Sequence, residues 1–124
     1  MKLIYSLRKD KKSIKQIQKV TLTTEKYGIS TEHGLFGSEE WWKSIDENKL
    51  ELKTIEGTIS KVYMSGHNDF PEFKVLSNGI ETSWVRMGNE KLYKEGAEVK
   101  LEYVQTKNRF DHTYGRTLVN VWVS

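Results

Sequence analysis

Two polar segments hold the side chains that could do chemistry. They are Gly66-His67-Asn68-Asp69-Phe70-Pro71 and Asn108-Arg109-Phe110-Asp111-His112-Thr113-Tyr114-Gly115-Arg116. Each carries one His and one Asp beside an aromatic ring. If the segments met, His67, Asp69, Asp111 and His112 would form a two-His, two-Asp cluster. Imidazole and carboxylate suit a divalent metal, and a His beside a carboxylate can act as a general base. Nothing in the spacing enforces that meeting. The chain has no HExxH, EF-hand loop or P-loop, and His33 lies elsewhere. With no Cys and no GxSxG elbow, nucleophilic catalysis has no signature either. A metal-assisted hydrolase is therefore a remote reading, and no enzyme, metal or cofactor is expected.

The other chemistry these residues offer is recognition. Phe70, Phe110 and Tyr114 could stack on a ligand while Arg109 and Arg116 meet its charge. Against that stands a plainer account, in which Asn, Asp, Gly and Pro form turns and the aromatic side chains fold back onto the core.

The elements that must position these segments are mostly strands. Met1, Leu3, Tyr5 and Leu7 alternate with polar residues, which predicts a short strand, and a lysine-rich turn follows over residues 8–13. Val20-Thr21-Leu22-Thr23-Thr24 and Tyr27-Gly28-Ile29-Ser30-Thr31 predict a β-hairpin. The competing reading is an amphipathic helix over 13–20, because Ile14, Ile17 and Val20 are spaced by three. Ser38 is placed to cap a short helix to about residue 46. Glu39 and Glu40 fall in its first turn, where the helix dipole favours acids. Trp41 and Trp42 on that helix are candidates for contact with a partner. Adjacent helical residues point about 100° apart, so one could pack the helix down while the other covers an edge.

From Leu50 onward five strands are predicted. The first, 50–65, changes phase: Ile55 and Ile59 share one parity, Val62 and Met64 the other. That predicts a bulge or bend, which Gly57 could assist. Strands follow at 72–76, 80–87, 97–105 and 117–123. Ser77-Asn78-Gly79 predicts a tight turn, and Asn89 a short helical turn ended by Gly96.

The order of a long bent strand, a hairpin, a short helix and two further strands resembles the OB-fold. Tyr93-Lys94-Glu95-Gly96-Ala97-Glu98-Val99-Lys100-Leu101 resembles its helix-to-strand junction, and Gly57-Thr58-Ile59 its strand opening. The likeness covers about residues 52–124 and identifies no particular family. It implies a five-stranded barrel at 50–124, preceded by a 1–49 segment of basic residues, hairpin and short helix. It also implies that ligands lie across the second and third strands, flanked by loops 65–71 and 106–116. That adds Phe73, Trp84 and Arg86 to the candidates. Trp84 and Arg86 share a strand face and would form a stacking platform if exposed, although Trp84 could equally be core.

Charge separates the partners. Residues 1–26 hold eight Lys and Arg against Asp10 and Glu25, or +6, whereas residues 52–124 hold 10 basic and 9 acidic groups, or +1. A near-neutral barrel rich in aromatics fits a protein partner or self-association. Single-stranded nucleic acid remains an alternative, since it would want a basic groove but could use the basic arm. No apolar run is long enough to span a membrane. Zero Cys and the early Arg8-Lys9-Asp10-Lys11-Lys12 run lead us to expect a cytoplasmic protein without a signal peptide.

Overall fold

Alternating burial along short extended segments builds a mostly β structure. The computed structural model describes residues 1–67 and 69–124. Six strands form one antiparallel sheet: β1 (Lys2–Ser6), β2 (Lys53–Ser65), β3 (Phe70–Ser77), β4 (Ile80–Val85), β5 (Glu98–Lys107) and β6 (Tyr114–Val123). Their order is β1-β6-β5-β2-β3-β4. Two helices, α1 (Lys11–Thr23) and α2 (Glu39–Asp46), accompany them. The sheet ends at β1 and β4, so it is open and only loosely barrel-like, with one strand more than the five expected. The extra strand is β1, which pairs with β6 (Lys2↔Val123, Ser6↔Asn120).

Several local expectations are met for physical reasons visible in the backbone. The phase change in β2 is a register shift between Ile59 and Lys61 against β3, which leaves Ser60 as the bulged residue. Gly57 is required beside it: a Cβ there would lie 2.2 Å from the Leu76 carbonyl oxygen. Asn78 and Gly79, at φ 52 and 77, turn β3 into β4 so that Ser77 pairs with Ile80. Ser38 caps α2 by accepting from the Trp41 N–H at 3.3 Å.

The expected N-terminal hairpin is replaced by α1. Asp10 starts this helix, its carboxylate accepting from the Ser13 N–H at 3.2 Å. Ile14 and Thr21 are buried and Ile17 is half-buried, a spacing of three and four that gives one inward face. Gln18 Nε2 adds a bond to the Phe36 carbonyl at 2.9 Å. Tertiary packing thus overrides the β-branched preference of residues 20–24.

Two compact units result, and they are interleaved in sequence rather than divided between residues 49 and 50. One comprises Met1–Ser6, Thr54–Glu102 and Asn120–Ser124, the other Leu7–Lys53 and Tyr103–Val119. The first buries Ile59, Phe73, Val75, Val99, Leu101 and Val121, the second Phe36, Trp41, Ile45, Val104 and Leu118. Along β5 the buried parity changes between Leu101 and Val104.

Candidate functional site

The first candidate segment lies in the unit built on β2, β3 and β4. Asn68 falls outside the described residues. His67 and Asp69 are exposed, and the Asp69 N–H donates to the Ser65 carbonyl at 3.2 Å. Phe70 is exposed and already belongs to β3. Its neighbours on the sheet do not form the platform expected. Phe73 is fully buried against Tyr93, with ring centroids 4.8 Å apart, and pairs across the ladder with Trp84. Trp84 is only 5 % exposed, and its Nε1–H donates to Thr82 Oγ1 at 2.8 Å. Both residues belong to the core because the inward parity of β3 and β4 includes them. Arg86 is half-buried and donates to the Tyr63 carbonyl at 3.1 Å, so it serves the sheet rather than a stacking surface.

On the outward face of that sheet, charge is paired internally. Ser60 Oγ donates to Glu81 at 2.8 Å, and Lys74 lies 3.6 Å from the same carboxylate. The Ser60 hydrogen bond, helped by Lys74, holds the Glu81 carboxyl below its usual range. Tyr63 donates to Glu72 at 2.8 Å while Lys61 and Lys74 sit over its ring.

The second candidate segment lies in the other unit, and its loop is narrower than expected, Asn108 to Thr113 between β5 and β6. Asp111 accepts from the Thr113 hydroxyl at 2.7 Å and from its N–H at 3.0 Å. Those bonds hold its carboxyl below the usual range, so it is a turn-forming anion. His112 adopts φ 60, and its N–H donates to the Asn108 carbonyl at 3.1 Å. Among the described residues, no three His, Asp or Glu side chains are grouped so as to hold a metal ion. The four-residue cluster is therefore not assembled.

What this loop does instead is dock on α1 and the segment after it. The Arg109 guanidinium donates to the Thr21 carbonyl, and its backbone N–H to the Gly28 carbonyl at 3.2 Å. Ile29 bridges to Asn108, and the Ser30 N–H donates to the Lys107 carbonyl at 2.8 Å. Buried Thr21 completes the joint, with its Oγ1 accepting from the Ile29 N–H at 3.2 Å. Gly28 is needed there: its φ is +104, and a Cβ would fall 2.6 Å from the Thr21 Cα.

Fixing this joint leaves large side chains in solvent beside it. Leu22 is 70 % exposed, Tyr27 64 %, Phe110 59 % and Tyr114 66 %. Leu22, Tyr27 and Phe110 are the immediate sequence neighbours of Thr21, Gly28 and Arg109, the residues that the joint ties together. Single exposed apolar residues are ordinary on a protein surface, whereas contiguous apolar patches mark contact sites. A shallow, largely apolar groove of about 280 Å³ between Ile17, Val20, Gly28 and Ile29 runs alongside. Sequence reasoning nominated Phe110, Tyr114, Arg109 and Arg116 but missed Leu22 and Tyr27. Reading residues 11–23 as a helix would have found Leu22, which falls off the Ile14–Ile17–Thr21 face.

Trp41 and Trp42 are not on offer to a partner. Both are buried, stacked edge-on at 4.8 Å, with Phe36 4.7 Å from Trp41 and the Arg8 guanidinium 4.2 Å from the Trp42 ring. A cavity of about 190 Å³ in the same unit is lined by His33, Trp41, Glu51, Lys53, Thr106 and Tyr114. That is below the 300–1,000 Å³ typical of small-molecule sites. No helix among the described residues is long and apolar enough to cross a membrane.

A family model described as "Immunity protein RhsI2" matches residues 1–123, all but the last of the chain. No curated protein matches it.

Proposed function

Because the chain belongs to the RhsI2 immunity protein family, we propose that it is a non-enzymatic binding protein whose partner is a toxin, which it neutralises by direct contact. The observation that carries the contact surface is the patch of Leu22, Tyr27 and Phe110, with Tyr114 nearby on β6. These side chains are large and largely exposed, and the backbone beside Tyr27 and Phe110 is tied by the hydrogen bond from the Arg109 N–H to the Gly28 carbonyl. Aromatic residues presented on a rigid frame lose little entropy on binding and commonly dominate interface energies.

The outward face of β2, β3 and β4 is the weaker choice. Its acids and lysines already satisfy one another, so a partner would have to displace those contacts. The strand order β6-β5-β2-β3-β4 supports an OB-like plan as part of this reading. The use of the fold is then shifted from the sheet face to the docked loop and helix.

The test is co-expression with a toxin that RhsI2 immunity proteins neutralise. Cells making both proteins should grow, and the two should co-purify through size exclusion. Continued killing, with the chain soluble and folded, would remove the reading.

A further inference from the structure

Helix α1 is built against the rules that α2 obeys. Glu39 and Glu40 occupy the first turn of α2 and Lys43 lies toward its end, as the helix dipole favours. The first turn of α1 has no acid and carries Lys11 and Lys12 at the positive end of the dipole. Lys11, Lys15 and Lys19 then recur at i, i+4 and i+8, which lines like charges in one row and opposes the helix further. All four lysines are exposed. Among the described residues, the ion pairs involve Lys43, Lys49 and Lys74 and none of these four. The helix stands because Asp10 caps it and Ile14 and Thr21 are buried beneath it, not because its charges agree.

The charge is also local. The unit containing α1 holds 13 Lys and Arg against 9 Asp and Glu, and the other unit 7 against 8. The row runs along α1 toward Leu22, which follows Lys15 and Lys19 by seven and three residues and is 70 % exposed. A sequence that keeps a locally unfavourable pattern on an exposed face, beside an apolar anchor, is arranged for something outside the molecule.

We propose that Lys11, Lys15 and Lys19, with Lys12, form a docking rail for an acidic face of the partner toxin. This rests on the proposed function. The apolar patch anchors the complex, and the lysines steer the approach and fix the register. A protein fits better than nucleic acid, because Leu22 at the end of the row is exposed aliphatic surface that a protein buries and a phosphate backbone does not.

The double variant Lys11→Glu/Lys15→Glu separates docking from folding. It puts an acid in the first turn and another four residues before Lys19, so the helix should be as stable as wild type or more so. Association with a toxin that wild type binds should nonetheless slow about tenfold or more at low salt, with dissociation little changed. The salt dependence of association should flatten or reverse. Wild-type association rate and salt slope in the double variant would overturn the rail while leaving toxin binding intact. No binding by wild type would instead overturn the proposed function, and the rail with it. A labelled single-stranded oligonucleotide serves as control. If it binds wild type, fails with the double variant, and toxin association is unchanged, the row is a phosphate site and the protein version falls.

Discussion

Replacing Thr21 with Val tests the joint on which the proposed contact surface depends. The side chains are nearly the same shape and have similar helix propensity, so the change removes one hydroxyl and little else. Thr21 is fully buried. Its Oγ1 donates to the Ile17 carbonyl at 2.8 Å and accepts from the Ile29 N–H at 3.2 Å. The Ile17 carbonyl keeps its helical partner after the change, but the Ile29 N–H is left with none. An unsatisfied buried donor costs about 1–3 kcal/mol, and because Ile29 is half-buried, about 1–2 kcal/mol is expected. For a chain of this length that lowers Tm by roughly 3–8 °C. The control is Thr23→Val, whose Oγ1 makes the same kind of bond to the Lys19 carbonyl at 2.6 Å but on the exposed side. Its effect should stay within about 0.5 kcal/mol. Thermal melts of both variants, with hydrogen exchange at the Ile29 amide, decide the matter. Equal Tm values for the two variants, with Ile29 still protected, would refute the reasoning.

Other consequences follow from the two cores. Trp41→Ala removes a buried ring in contact with Phe36 and Trp42 and should cost about 3–5 kcal/mol, read as a lower urea midpoint. Tyr93→Phe loses the bond from the phenol to the Met87 carbonyl at 2.7 Å, for about 1 kcal/mol near neutral pH. Burial also pushes the Tyr93 phenol well above its ordinary pKa. The stability held by its neutral form is complete below the unfolded value of about 10 and is lost as pH rises beyond it. Alkaline melts should therefore show a fall in wild type that the Phe variant shows less.

The sheet was largely legible in the sequence because strand signals are local. Asn78-Gly79 dictates a turn, and the parity change from Ile59 to Val62 marks a bulge wherever the strand sits. What the sequence left open depended on partners. Residues 20–24 favour a strand by composition, and the Asp10 cap, the burial of Ile14 and Thr21 and the Gln18 bond to Phe36 turn residues 20–23 into helix. Strand alternation gives Trp84 two possible faces, and its pairing with buried Phe73 chooses one. The first strand was expected, but not its place beside β6, which makes the sheet six-stranded and open. At the candidate site, Phe110 and Tyr114 were visible as loop aromatics. Leu22 and Tyr27 were not, because the bonds that tie their neighbours Thr21 and Gly28 come from Arg109, more than eighty positions away.

The central claim, that the chain binds a toxin through the patch beside α1, is tested most directly by calorimetric titration of a purified toxin domain. Wild type should bind one toxin per chain. The Leu22→Ser/Tyr27→Ser/Phe110→Ser variant changes only exposed side chains and should melt as wild type does. It should bind at least about 100-fold more weakly, as expected if two of the three are interface anchors. Unchanged affinity in a folded triple variant would contradict the account.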